Sequence, residues 1–311
     1  MEKLKIIYVG TGSFGAPILE KLCSDPRVQI VSVITGQDKK SGRDLKITAN
    51  PIKQIGNLYK LNVLQPQMIA LVNKEIIQDN PDILLVVAYG EIIPIDTITL
   101  AKTGAVNIHP SLLPKYRGAS PIQSTILNGE KETALSWILM NQKMDQGNII
   151  EQISECISAT DTSKSLEVRL QAIAVQNTAD VLINYSKNTH STPQVDSDAS
   201  YCKKFSKSDG EINFLTESAL QINLKIRAFY PWPSCYTFLN GKLIKVLKAQ
   251  VVEHKISARE ATRTPTDTLI IGAKNSAIEL IQVQPEGKRP MKIEDYLRGL
   301  DKSKKIEITS S

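Results

Sequence analysis

The sequence predicts an α/β protein in two parts: a mainly parallel sheet covered by helices on both faces, then a small β-rich domain. Three observations carry this. Short Val- and Ile-rich runs alternate with helix-period segments through the first half. A polar stretch over 186–200 then separates that alternation from short strand-like runs punctuated by turns. The length, 311 residues, exceeds what one core comfortably supports.

Lys5–Val9, Gln29–Ile34 and Ile83–Ala88 read as buried strands, bounded by Gly, Pro or Asp. Between them Ala16–Cys23 and Ile52–Lys60 carry apolar positions at helical spacing, and Gln67–Asp79 follows Pro66. Strands buried on both faces, with helical crossovers, make a parallel sheet. Ser163–Tyr185 reads as a long amphipathic helix opened by Asp161-Thr162-Ser163, with Leu166, Leu170, Ile173 and Leu182 on its apolar side. Ser186–Ser200, rich in Ser, Thr, Asn and Asp, reads as a surface linker. Ala219–Phe229 looks helical. Asn240-Gly241 between Tyr236–Leu239 and Lys242–Leu247 is a hairpin signal, and the C-terminal part is a small barrel or sandwich. The expected boundaries are 1–189 for the first domain, 190–208 for a linker and 209–311 for the second domain.

Hydrophobic residues make up 41% and charged residues 23%, which rules out wholesale disorder. The four cysteines, Cys23, Cys156, Cys202 and Cys235, form no Cys-x-x-Cys pair. That argues against a zinc ribbon or a disulfide framework and fits a reducing cytosol. No apolar run approaches the roughly 18 residues needed to cross a bilayer, and the N-terminus lacks a signal-peptide pattern. A soluble, cytoplasmic protein without a membrane partner is expected. Charge is unevenly placed. Residues 1–202 hold 19 Lys+Arg against 20 Asp+Glu, a balance of −1; residues 203–311 hold 19 against 12, a balance of +7. A basic half implies either a polyanionic partner or a solvated surface.

Three motifs could carry chemistry. Gly10-Thr-Gly12-Ser-Phe-Gly15 is formally G-x-G-x-x-G between a strand and a helix, but the second strand ends in Thr35-Gly36-Gln37 and offers no acidic residue for a ribose until Asp38. Glycines serving a tight turn are the plainer reading. Asn107-Ile-His109-Pro-Ser111-Leu-Leu-Pro114-Lys-Tyr-Arg117-Gly118 is more specific. On a strand, Asn107 and His109 project to the same side, so a neutral donor and a titratable imidazole aim alike. Such a pair suits a developing oxyanion and a proton transfer. The third is Asp145, in a turn between two apolar runs with Gly147 two residues on.

The Asn-Ile-His-Pro-Ser-Leu-Leu-Pro segment and the downstream Asp-x-Gly resemble the active-site signature of the 10-formyltetrahydrofolate-dependent formyltransferases. Within that family the chain is most similar to members that formylate methionyl-tRNA. The likeness runs nearly end to end, through Ala88-Tyr89-Gly90-Glu-Ile-Ile-Pro94, Arg227-Ala-Phe-Tyr-Pro231-Trp232-Pro233 and Val283–Met291. The family pattern has Pro where Gly12 stands here, which completes the G-x-G-x-x-G by coincidence and weakens the dinucleotide reading.

The resemblance implies a Rossmann-like formyltransferase domain followed by an OB-like β-barrel. It implies Asn107, His109 and Asp145 as the catalytic trio, and Ala88, Tyr89, Gly90, Ile92 and Pro94, with Ser111, Leu112, Leu113 and Pro114, as the folate-binding surface. It also implies that a basic loop within Gln37–Thr48 reaches the acceptor arm of initiator methionyl-tRNA. Lys39, Lys40, Arg43 and Lys46 fall there within eight residues. Lys203, Lys204 and Lys207, at the head of the basic half, are assigned to the same tRNA. The expectation is a monomer of bacterial type that holds no metal and no tightly bound cofactor, with the folate as co-substrate. Formyl transfer to a glycinamide nucleotide or an amino sugar, and a nicotinamide-dependent oxidoreductase, are the alternatives.

Overall fold

The computed structural model describes residues 2–41, 46–301 and 305–309; of Lys39–Ser41, Lys46 and Ile47 only the backbone is described. The chain divides into two compact units, one of Met1–Gly118, Glu132–Cys156 and Glu167–Cys202, the other of Ala119–Lys131, Ile157–Leu166 and Lys203–Ser311.

The first unit runs β1 (Leu4–Gly10), α1 (Ala16–Ser24), β2 (Val28–Ile34), a small hairpin of β3 (Lys39–Ser41) and β4 (Lys46–Thr48), α2 (Pro51–Leu58), β5 (Val63–Leu64), α3 (Asn73–Asp79), β6 (Ile83–Val87), α4 (Ile95–Ile98), β7 (Ala105–His109) and β8 (Arg117–Gly118). After α5 (Pro121–Leu127), which groups with the second unit, come β9 (Glu132–Leu139), β10 (Ile149–Cys156), α6 (Ser163–Asn188) and β11 (Tyr201–Cys202). The main sheet has seven strands in the order β10-β9-β7-β6-β1-β2-β5. β5, β2, β1, β6 and β7 are parallel, while β9 is antiparallel to both its neighbours. Every residue of β6 is buried, as an apolar run covered on both faces requires. Ile7, Val9, Ile34, Ile76, Leu84 and Val86 form one side of the core.

The expected strands and helices are present, most with ends shifted by a residue or two, the strand expected over Lys242–Leu247 running on to Val252, and Gln67–Asp79 split into a 3₁₀ turn, Ile69–Val72, and α3. Thr162 Oγ1 accepts from the Ser165 N–H and caps α6, which runs three residues past the expected end. The segment read as a surface linker is more engaged than its composition predicts. Gln194, Asp196, Ser200 and Tyr201 bond to Arg117, Tyr116 and the Asp145 turn, and β11 pairs in parallel with β8. Polar residues there satisfy buried groups of the first unit rather than only meeting solvent.

The second unit contains α5 and α7 (Ala219–Ala228), then β12 (Cys235–Leu239), β13 (Lys242–Val252), β14 (Ala261–Arg263), β15 (Leu269–Ala273), β16 (Ser276–Pro285), β17 (Met291–Lys292), α8 (Ile293–Arg298) and β18 (Ile308–Thr309). The order β14-β15-β16-β13-β12-β18, with β17 on β16, is antiparallel throughout and curls into a nearly closed barrel. Alternate residues fill it: Ile244 and Val246 from β13, Leu269 and Ile271 from β15, Ile278 and Leu280 from β16. Asn240 and Gly241 both have positive φ (50° and 73°), the backbone that a two-residue hairpin turn needs. α7 starts in a reciprocal Ser218–Gln221 capping box and packs on α5 and β13. Arg227 donates to the carbonyls of Ser158 and Asp161, and Ser163 Oγ to that of Tyr230. Stretches 119–131 and 157–166, expected within the first domain, are thus held by the C-terminal residues of the second unit.

Candidate active site

β7 carries Asn107 and His109 two residues apart, so both side chains leave the same face of the sheet. His109 is 4% exposed, and its Nε2 lies 2.9 Å from the Tyr116 carbonyl oxygen. A carbonyl only accepts, so Nε2 carries the proton and Nδ1 is the nitrogen left for chemistry. Nδ1 faces Asp145 Oδ1 at 3.6 Å, just beyond hydrogen-bonding range, and Asn107 Nδ2 donates to the same oxygen at 3.3 Å. The other carboxylate oxygen of Asp145 accepts the Gly118 N–H at 2.9 Å. The structure therefore gathers all three expected catalytic residues, drawn from positions 38 apart in the chain.

Asp145 sits on the connection between β9 and β10, in the left-handed region (φ 54°) that Asp tolerates better than most residues. Gly147 lets this connection lie flat on β9. A Cβ there would fall 1.5 Å from the Leu139 carbonyl oxygen.

The loop after His109 is fixed from beneath. Ser136 Oγ donates to the Ser111 carbonyl at 2.6 Å, and Gln152 Nε2 donates to Ser136 Oγ and to the Leu113 carbonyl at 2.9 and 3.0 Å. Ser111, expected to bind folate, is fully buried and donates its hydroxyl to the Lys115 carbonyl; Leu113 is buried, while Leu112 and Pro114 are half-buried. Arg117, 1% exposed, reaches Gln194, Asp196 and Tyr201. Burial opposes its charge, yet the bonds to Asp196 and Tyr201 outweigh that and raise its pKa. Ser136, Gln152 and Gln194 carry no local sequence signal, because their partners lie 16 to 77 positions away.

The Ala88–Pro94 segment is mostly exposed, with two side chains turned inward. Ala88, Gly90, Ile92 and Pro94 are exposed, Ile92 by 86%, whereas Tyr89 and Ile93 turn into the core. Burial, with the Glu91 charge nearby, pushes the Tyr89 hydroxyl up to about 12. At the Gly10–Gly15 turn the buried Tyr8 hydroxyl donates to the Gly15 carbonyl at 2.8 Å. Asp38 is bonded to Lys53 and Gln65, and the Lys53 bond, ahead of Gln65, holds its carboxyl below the ordinary value.

Of the residues expected to meet tRNA, Lys39, Lys40 and Lys46 lie on the β3–β4 hairpin and Arg43 lies outside the described residues. Lys203 pairs with Asp209 at 2.7 Å, with its ammonium 5.8 Å from the Phe205 ring; Lys204 and Lys207 are exposed. Among the described residues, no three His, Cys, Asp or Glu side chains gather as a metal site requires. None of the described helices is long and apolar enough to cross a membrane.

Residues 2–182 match the formyl transferase family and residues 204–301 the formyl transferase C-terminal domain. The chain is 37% identical to the methionyl-tRNA formyltransferase of Pseudoalteromonas translucida, over 96% of this chain and 94% of that one. It is 34% identical to that of Caldanaerobacter subterraneus subsp. tengcongensis, over 95% and 97%. The chain belongs to the formyl transferase family, in the branch of the methionyl-tRNA formyltransferases. In fold it is similar to an N-formyltransferase from Helicobacter canadensis solved with folinic acid and dTDP-3-aminofucose, with a TM-score of 0.65 at 20% identity, over 92% of this chain and 100% of that one.

Proposed function

We infer that this protein transfers the formyl group of 10-formyltetrahydrofolate to the α-amino group of initiator methionyl-tRNA, giving N-formylmethionyl-tRNA for translation initiation. The observation that carries it is the convergence of Asn107 Nδ2 and His109 Nδ1 on Asp145 Oδ1, at 3.3 and 3.6 Å, in a member of this family.

Attack of the neutral amine on the formyl carbon places negative charge on the formyl oxygen. Asn107 gives one Nδ2 hydrogen to Asp145 and has a second for that oxygen. His109, anchored through Nε2, takes up or releases a proton only at Nδ1, and protonated there it is a second donor. Removing one such donor costs about 3–4 kcal/mol in the barrier. Asp145 balances the imidazolium and, facing both donors, relays the proton from the attacking amine to the departing N10.

The exposed Ala88, Gly90, Ile92 and Pro94, with half-buried Leu112 and Pro114, form the surface for the folate; Tyr89, Ser111 and Leu113 shape it from behind. Lys39, Lys40, Arg43, Lys46, Lys203, Lys204 and Lys207 supply phosphate contacts to the tRNA, supported by the +7 balance of residues 203–311. The protein works as a cytoplasmic monomer, where cysteines that form no disulfide are at home.

The test is formyl transfer from 10-formyltetrahydrofolate to initiator methionyl-tRNA, set against elongator methionyl-tRNA and free methionine. Preference for the initiator species supports the reading. Equal transfer to free methionine, or none to any acceptor, overturns it.

A further inference from the structure

Gln194 stands in a single orientation. Arg117 Nε donates to its Oε1 at 3.0 Å, and its Nε2 donates to the main-chain carbonyls of Asp145 and Gly147 at 2.8 and 2.7 Å. A guanidinium only donates and a carbonyl only accepts, so the amide cannot be reversed. Arg117 cannot swing away either, since its Nη2 and Nη1 are taken by Asp196 at 2.8 Å and the Tyr201 hydroxyl at 3.2 Å.

Other bonds at this turn flank Asp145 rather than hold its carbonyl: Lys143 N–H to Asn141 Oδ1 at 2.8 Å, Gln146 Nε2 to the Tyr201 hydroxyl and Asn148 Nδ2 to Ser191 Oγ, both at 3.3 Å. Gln146 N–H meets the Lys143 carbonyl at a long 3.4 Å, and the Leu139 N–H to Asn148 bond lies at its base. The Asp145 carboxylate is held by Gly118 and Asn107, but its backbone, at positive φ, is fixed by the Gln194 amide. The His109–Asp145 separation of 3.6 Å sits at the edge of bonding range, so a small movement of the turn decides whether the pair can close on a substrate. A misplacement near 1 Å can cost about a hundredfold in rate.

We infer that Gln194 is a positioning residue that sets the Asp145 carboxylate against His109 through its two bonds to the Asp145 turn. Both hydrogens of its amide are spent on carbonyls and its oxygen accepts from Arg117, so it acts through the turn rather than on substrate. The inference rests on the formyl transfer proposed above, and its test separates the two.

Gln194→Glu keeps an acceptor for Arg117 but turns an oxygen toward the two carbonyls; Gln194→Leu removes both interactions. In Gln194→Glu, kcat should fall about tenfold or more, with the KM for 10-formyltetrahydrofolate and the Tm near wild type. Gln194→Leu should lose kcat and Tm together. Without turnover, hydrogen exchange of the Gly118 amide reports the Asp145 Oδ2 bond, and it should quicken in Gln194→Glu. Unchanged Gly118 exchange in Gln194→Glu sinks the inference whatever the turnover. Wild-type kcat in that variant sinks it too, since Gln194 would then only anchor Arg117. If the wild type transfers no formyl group while Gly118 exchange still responds, the positioning role stands and the proposed reaction falls.

Discussion

The polar groups around Asp145 and the lysines that open the second unit's C-terminal stretch differ in what holds them. His109, Ser111, Arg117 and Ser136 are at most 4% exposed, and each bonds to a named partner. Lys204 and Lys207 are exposed, and Lys203, 69% exposed at its side chain, meets Asp209 at the surface. A buried polar group that loses its partner costs about 1–3 kcal/mol. An exposed charge acts through the summed field, which salt screens beyond roughly 8–10 Å. Reaction chemistry needs atoms held to tenths of an ångström, whereas polyanion binding needs only enough charge in the right region. The two regions should therefore answer differently to mutation, salt and pH.

The sharpest break is Asp145→Asn. Its side-chain oxygen can still accept the Gly118 N–H, so the fold and Tm should persist. The charge facing His109 is gone, and kcat should fall roughly 10²–10⁴-fold. Retention of more than about a tenth of wild-type turnover would leave less than ~1.4 kcal/mol to the carboxylate and refute its role.

Gly147→Ala attacks the scaffold of the same site. The new Cβ would overlap the Leu139 carbonyl, so urea denaturation should show a loss of about 2–4 kcal/mol. A variant as stable as the parent would mean that the turn does not lie against β9.

In the second region the effects are graded. Replacing Lys204 and Lys207 by Ala should weaken tRNA binding and flatten its salt dependence by about 0.9 in log–log slope for each phosphate no longer neutralised. The KM for the folate should not move. Parallel salt slopes for variant and parent would make these lysines mere solvated surface.

Titration gives the smallest effect. Arg27 beside Asp25, bonding to it directly, pulls that carboxyl from 3.8 to about 2. A folded value below the unfolded one means stability present above about pH 4 and lost as pH falls toward 2. Asp25→Asn should flatten that part of the acid limb in urea midpoints, modestly, because Arg27 is 52% exposed. Asp209 in the second unit is pulled down by Lys203 and then Ser206, and its stabilising effect has the same sign.

The sheet was legible because burial on both faces leaves apolar runs, as in Ile83–Val87, and because capping residues such as Thr162 act within one turn. Asn107 and His109 were legible from strand alternation, and the resemblance supplied Asp145 as their partner. The folate surface was read as a continuous stretch, yet Tyr89 and Ser111 spend their side chains inside the chain. Alternation decides such a question only once the direction of each side chain is known. The polar tract over 186–200 is mostly exposed, as its composition predicts, but its bonds were not legible, for a related reason. Composition shows that a segment can bond, not to what, and Gln194 and Asp196 bond to a buried arginine 77 and 79 positions earlier.

That distance bears on how the protein is made. Translated in order, Asn107, His109 and Asp145 exist as chain well before Gln194, Asp196 and Tyr201, which satisfy Arg117 and pin the Asp145 turn. Until those residues emerge, the guanidinium lacks Gln194, Asp196 and Tyr201, and the Asp145 turn lacks the Gln194 bonds, leaving its carboxylate to Gly118 and Asn107. Nascent chains arrested between Asp145 and Gln194 should lack the Gly118 amide protection that chains released well past Tyr201 acquire, so the ribosome hands over a finished site only after the whole first unit has been made.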